Sequence, residues 1–176
     1  MPSVCFYFEV HQPYRLRPYS FFDIGAKKDY EDAQQNRDVM RKVAEKCYLP
    51  MNSLLLELIE RHQGRFRVSF SLTGIVLDQF MEYAPEVLDS FRALARTGCV
   101  EFLDETDDPS LACLFSEDEF RSQISRHREK MQELFGQSPR AFRNTELVYN
   151  NDVARIAADM GYSTILAEGA DRVLGW

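Results

Sequence analysis

The sequence predicts an α/β fold, a parallel β/α partial barrel of about five strands with helices on the outside. Three observations lead there. Short apolar segments of period two alternate along the 176 residues with segments of helical period. Several of those strands carry polar residues on one face: Tyr7, Glu9 and His11 on the first, Ser69 and Ser71 on the second, Glu101 on the third, Asn144 and Glu146 on the fourth. The remaining polar clusters, His11-Gln12-Pro13, Asp104 to Ser110 and Glu168-Gly169, fall where strands end. Strands joined by helical crossovers run parallel, and the crossovers cover one face of the sheet. A polar opposite face must then line something, and a lumen that turns polar toward its carboxyl rim accounts for all of these residues together.

The elements follow in order. Val4 to Val10 alternates Val4, Phe6, Phe8 and Val10 against Cys5, Tyr7 and Glu9, the pattern of a first strand. Arg15 to Lys28 is an aromatic loop broken by Gly25. Asn36 to Cys47 predicts a helix with Val39, Met40, Val43 and Cys47 on one face. Pro50 at a first-turn position opens another, with a stripe of Leu55, Leu58, Ile59 and His62 that Gly64 ends. Phe66, Val68, Phe70 and Leu72 mark the second strand, and an apolar helix runs from Gly74 to Tyr83. Pro85 starts a helix with Val87, Leu88, Phe91 and Leu94, closed by Gly98, and Cys99 to Leu103 is the third strand. Ser116 and Glu119 form a capping-box pair for a helix carrying Phe120, Ile124, Met131 and Leu134, closed by Gly136. Arg140 to Thr145 is the fourth strand, Asn150 to Asp152 caps a helix with Val153, Ile156, Ala157 and Met160, and Ser163 to Ala167 is the fifth strand.

Composition excludes more than it selects. Apolar residues at 45% and charged residues at 28% describe a folded chain rather than a disordered one. A net charge of −7 argues against a nucleic-acid backbone or an anionic membrane as partner. No apolar run reaches the roughly 18 residues of a membrane span. The start, Met1 to Val10, lacks a basic leader region, and Glu9 interrupts its apolar run. Cys5, Cys47, Cys99 and Cys113 lack the spacing of a zinc site or a disulfide framework, so buried free thiols and a cytoplasmic location are expected. No metal is expected either: His11, His62 and His127 are too dispersed, and the latter two continue apolar helix stripes.

Three stretches carry a resemblance. They are Phe8-Glu9-Val10-His11-Gln12-Pro13-Tyr14, then Gly98 to Leu103 with Glu105-Thr106 and Ser110-Leu111-Ala112, then Phe142-Arg143-Asn144-Thr145-Glu146-Leu147-Val148-Tyr149. In this order and spacing they resemble family 57 glycoside hydrolases of the α-amylase-like branch. Phe21 to Gly25 and Ala167 to Arg172 look like that branch too. The resemblance implies an incomplete, seven-stranded β/α barrel, of which residues 1–176 are the N-terminal portion without the C-terminal part. It implies a retaining mechanism on an α-glucan or oligosaccharide, with Glu146 as nucleophile and no cofactor. His11, Gln12, Glu101, Asn144 and Tyr149 are the implied substrate-binding residues, with Glu101 alternatively holding Arg143 in place. Retention requires two carboxyl groups about 5–5.5 Å apart, one anionic and one protonated. The family's acid/base aspartate comes from a later strand and has no match in this sequence, so these residues alone are expected to be inactive.

One segment departs from the family: Thr106-Asp107-Asp108-Pro109-Ser110 stands where aromatic residues and a histidine are usual, with Pro109 at the histidine's position. A non-catalytic glucan-binding or decayed homologue is therefore the competing class, and a deacetylase-like metal hydrolase a third. Open strand edges would also favour self-association.

Overall fold

A computed structural model describes residues 4–26, 28–169, 172 and 175. Residues 1–3, and Ala170-Asp171 of the last matching stretch, lie outside the described residues. Strands β1 (Phe6–Val10), β2 (Val68–Leu72) and β3 (Val100–Phe102) pair in parallel in that order, with Phe6 opposite Val68 and Val68 opposite Val100. Strands β4 (Ala141–Arg143) and β5 (Thr164–Leu166) form a second parallel pair. Among the described residues a single parallel bridge joins the two sheets, where the Asp104 amide donates to the Ala141 carbonyl and the Arg143 amide to the Asp104 carbonyl, both at 2.9 Å.

The continuous five-stranded ladder expected from the sequence is thus interrupted between β3 and β4. The reason is local. The Gln137 side chain takes up the free edge of β3, donating to the Val100 carbonyl at 3.0 Å and accepting from the Phe102 amide at 3.4 Å. Backbone groups that would have paired with β4 are satisfied by one amide side chain instead. The architecture is a parallel β/α partial barrel with outer helices.

Helix α1 (Ala33–Val43) runs through a π-helical turn (Ala44–Tyr48) into α2 (Leu49–Arg61) without a break. Pro50 has no amide to give to the turn before it, and the wider turn absorbs that loss. The expected interruption at Pro50 is therefore a change of pitch. It also moves the buried stripe: Asn36, Met40, Ala44 and Tyr48 face inward, and Cys47 is exposed. His62 caps α2 in the open rather than continuing its apolar face.

Helix α3 (Gly74–Tyr83) is capped by Thr73, whose Oγ1 accepts from the Val76 amide. Helix α4 (Pro85–Arg96) buries Val87, Leu88, Phe91 and Leu94 as its spacing predicts. Helix α5 (Glu117–Phe135) is capped by Ser116 and ends on Gly136, whose left-handed conformation suits glycine. Helix α6 (Asn151–Asp159) is capped by Asn150. The core has two parts. The larger lies between β1–β3 and α1–α4 and includes Phe70, Phe80, Phe91 and Phe102; the smaller comprises Phe120, Ile124, Phe142, Val153, Ile156, Ala157 and Tyr162.

The four cysteines are free, as expected, but only Cys99 is buried; Cys5 and Cys47 are exposed and Cys113 is half-buried.

Candidate active site

Strand ends bring distant residues together. His11 follows β1 directly, and Glu146 lies in the turn after β4; both line one cleft with Glu9, Thr73, Pro109 and Thr145, enclosing about 170 Å³. The carboxyl ends of parallel strands are where α/β folds build their sites, because the loops there are free of the crossover helices.

Each cleft residue is fixed from behind. His11 Nδ1 lies 3.0 Å from Thr73 Oγ1, the same hydroxyl that caps α3. With the hydroxyl donating to Nδ1, Nε2 carries the proton and can donate to a ligand. The turn holding Glu146 closes with the Leu147 amide donating to the Asn144 carbonyl at 2.8 Å. Leu147 has φ of 55°, a left-handed conformation that costs a non-glycine residue roughly 1–2 kcal/mol. Strain beside an exposed carboxylate is the kind of feature that gathers at functional sites. Thr145 Oγ1 lies 3.1 Å from Thr106 Oγ1 and accepts from the Ser110 amide at 3.4 Å, tying the loops after β3 and β4 together.

Beneath the cleft, Arg143 joins three strand ends. Its Nη2 donates to Glu9 Oε2 at 2.9 Å and its Nη1 to Glu105 Oε2 at 3.4 Å. Burial raises the Glu105 carboxyl to about 7, with His127 and Arg143 opposing that rise and Glu9 and Asp104 adding to it. Behind it, His127 Nδ1 meets Asp104 Oδ1 at 2.5 Å and Nε2 donates to the Leu72 carbonyl at 2.8 Å. Burial alone would lower the His127 pKa, but the Asp104 carboxylate, Glu105 and the Leu72 carbonyl together raise it. Asp104 also accepts from the Tyr162 hydroxyl and from Arg128 Nε at 3.3 Å, while the Arg128 guanidinium sits 4.6 Å over the Tyr162 ring.

The other sequence candidates stand apart from the cleft. Asn144 is buried, and its Nδ2 donates to the Val148 carbonyl at 3.0 Å and toward Cys113 Sγ at 3.3 Å, so it holds the turn rather than lining the cleft. Gln12 turns away: its Oε1 accepts from Arg15 at 2.8 Å, its Nε2 reaches the Tyr48 hydroxyl at 3.4 Å, and its carbonyl accepts from Gln79 at 2.6 Å. Tyr149 is exposed and does not line the cleft.

Glu101 lies opposite Ser69, which is opposite Tyr7, so it sits toward the amino ends of the strands. There it lines a larger cavity of about 240 Å³ with Cys5, Arg67 and Ser69. Size does not make that cavity the site, since the wrong ends of the strands form it. Glu9 and Glu105, not Glu101, hold Arg143. Asp107 is turned into the wall, 3.0 Å from Lys130 Nζ, and only Asp108 of the acidic pair is exposed. Among the described residues no group of three His, Cys, Asp or Glu side chains is placed to hold a metal ion.

Sequence reasoning missed the Asp104–His127–Tyr162 network. The signal was available: His127 falls between Ile124 and Met131 on a buried stripe, and a titratable group there needs a partner.

The sequence profile described as "Glycosyl hydrolase family 57" matches residues 5–176. A Methanocaldococcus jannaschii protein named "Putative alpha-amylase" is 44% identical over 179 residues, covering 98% of this chain and 37% of its own length. The chain therefore spans little more than a third of that relative. Among solved structures, the 4-α-glucanotransferase of Thermococcus litoralis superposes with a TM-score of 0.69 at 19% identity, over 93% of this chain and 22% of its own. The Thermotoga maritima α-amylase AmyC gives 0.66 at 14% identity, over 95% of this chain and 40% of its own. At such identities these two support the fold alone, whereas the profile match extends from β1 through β5, and the chain belongs to glycosyl hydrolase family 57.

Proposed function

We propose that residues 1–176 form the nucleophile-bearing, N-terminal portion of a retaining catalytic domain that hydrolyses or transfers α-glucans. The observation that carries this reading is the meeting of His11 and Glu146, 135 positions apart, in one cleft at the carboxyl ends of β1 and β4. The names of the relatives, an α-amylase and a 4-α-glucanotransferase, supply the substrate class.

Glu146 is exposed and attacks the anomeric carbon, forming a glycosyl ester as the leaving oxygen departs. His11 Nε2 donates to a sugar hydroxyl, and Asn144 keeps the turn in place. The leaving oxygen needs a proton. Glu9 is committed to Arg143, and Glu105 has no exposed atom with which to deliver one. We assign the acid to a later strand of the barrel, so these residues alone do not turn over maltooligosaccharides. Free cysteines, two of them exposed, suit the reducing cytoplasm. The free edges of β1 and β5 would be covered by further strands or by a second copy. Among the described residues no helix is long and apolar enough to cross a membrane.

A test that needs no general acid is treatment with 5-fluoro-α-glucosyl fluoride, whose fluoride leaves unaided while the ring fluorine slows release of the ester. Mass spectrometry should find one fluoroglucosyl group on the peptide containing Glu146 and none in Glu146→Gln. Labelling of another carboxylate would reassign the nucleophile, and no labelling would favour the non-catalytic reading that Pro109 in the cleft wall suggests.

A further inference from the structure

Glu105 is a buried acid that the chemistry above leaves unused. Its side chain is fully buried, Oε2 accepts from Arg143, and Oε1 has no hydrogen-bond partner among the described residues. Arg143 is 5% exposed and spans the gap between Glu105 and Glu9, and Glu9 lines the cleft with Glu146. The charged and titratable groups facing Glu105 come from every side. Asp104 stands beside it, His127 comes from α5, Arg143 from β4, and Glu9 and Tyr7 from β1. Strand β2 brings only the Ser71 hydroxyl, 2.6 Å from the Tyr7 hydroxyl, and Arg128 reaches the group through Asp104.

We propose that Glu105 is a positioning residue for the reaction, acting through Arg143 to fix Glu9 and thereby the charge of the cleft wall that Glu146 shares. This rests on Glu146 as nucleophile. Glu105 cannot touch substrate, because no part of its side chain is exposed. What it controls is the division of one guanidinium between two carboxylates. With Glu105 ionised, Arg143 is shared and the trio Glu9–Arg143–Glu105 carries one net negative charge. With Glu105 protonated, Arg143 belongs to Glu9 alone and the trio is neutral. Positive charge develops on the sugar at the transition state, so the ionised form of the trio is the one that favours reaction. Burial places this change near neutral pH.

The experiment compares the 176-residue chain with Glu105→Gln, an isosteric change that keeps an acceptor for Arg143. Carbon-13 NMR of the glutamate carboxyls should show Glu105 titrating near pH 7 and a step in the Glu9 signal that follows it. In Glu105→Gln that step should vanish. The rate at which 5-fluoro-α-glucosyl fluoride labels Glu146 should rise about three- to tenfold between about pH 6 and pH 8 in the wild type and stay flat in the variant. Superimposable labelling profiles, or a Glu9 step that persists without Glu105, overturn the proposal. Absence of label in both proteins sinks the nucleophile reading, while the response of the Glu9 signal to Glu105 still decides the coupling. Should the variant not fold, the wild-type spectrum decides: a Glu9 signal that does not follow the Glu105 titration overturns the proposal.

Discussion

The two apolar bodies differ in how they are built. Around β1–β3, five residue pairs join the first two strands and three join the next, with α1 to α4 packed over them. Around β4–β5 only three pairs exist, and seven buried side chains make the core. Helix α5 spans both, giving Phe120 and Ile124 to the smaller body and Met131 to the larger. Between them on the same stripe lies His127, bonded to Asp104 at the bridge that joins the sheets. The seam is polar where each body is apolar. His11 hangs from the larger body and Glu146 from the smaller, so the candidate site sits astride the seam. Its geometry depends on Arg143, the Thr106–Thr145 contact and the Asp104 bridge as much as on either core.

The sharpest way to break this contrast is to cut one large side chain from each body. Phe80→Ala should lower global stability by about 3–5 kcal/mol, seen as a collapse of the urea midpoint. Phe142→Ala should speed hydrogen exchange across residues 141–166 while β1–β3 stay protected. Equal loss of protection everywhere in both variants would show one cooperative unit instead.

The seam itself should respond to pH. Glu105 titrates at an ordinary 4.5 when unfolded and at about 7 when folded, so the folded state holds the proton more tightly. That contribution is complete below about pH 4.5 and is lost as pH rises through about 7, on the order of 3 kcal/mol. His127 acts in the same sense, since its folded pKa is raised above an ordinary 6.5; its contribution is present below that value and is lost as pH rises through the folded pKa. Urea melts should therefore show lower stability at about pH 8 than at about pH 5, with a smaller difference in Glu105→Gln. An unchanged difference would place the pH dependence elsewhere.

The smallest effect belongs to the surface clamp between α5 and α6. Hydrogen bonds from Arg155 and Arg121 hold the Glu117 carboxyl down at about 2. Its contribution is present above about 4.5 and lost as pH falls toward about 2. Glu117→Gln should shift the melting temperature slightly at neutral pH, and the shift should disappear in high salt. A shift insensitive to salt would mean packing, not charge, joins these helices.

Much of this arrangement was legible. Period-two segments located the five described strands, and the stripes of α4, α5 and α6 are buried as their spacing predicts except at half-buried Leu134 and Met160, because burial of one face is what fixes periodicity. His11 and Glu146 were legible as a pair only through the family motifs, since nothing in local pattern says that residues so far apart will meet. Glu101 was misplaced because strand register is a long-range property: its position opposite Ser69 depends on how β2 and β3 align. Gln12 and Asn144, expected to bind substrate, donate within the chain, Gln12 to the Tyr48 hydroxyl and Asn144 to the Val148 carbonyl, a choice that side-chain chemistry alone leaves open.

The π-helical turn has a consequence in angular phase. Residues buried at Asn36, Met40, Ala44, Tyr48 and Asn52 recur every fourth position. In a uniform α-helix each such step would advance the stripe about 40° around the axis, and over this span it would wind off the core. The wider turn at Ala44–Tyr48 rotates less per residue and draws the stripe back. The extra residue is therefore an angular setting for everything after it. Closing that turn to ordinary α-helix with every residue kept would rotate the remainder of the helix by about 100°. Leu55 and Ile59 would swing out toward solvent, and the Tyr48 hydroxyl would leave Gln12 and the segment that carries His11.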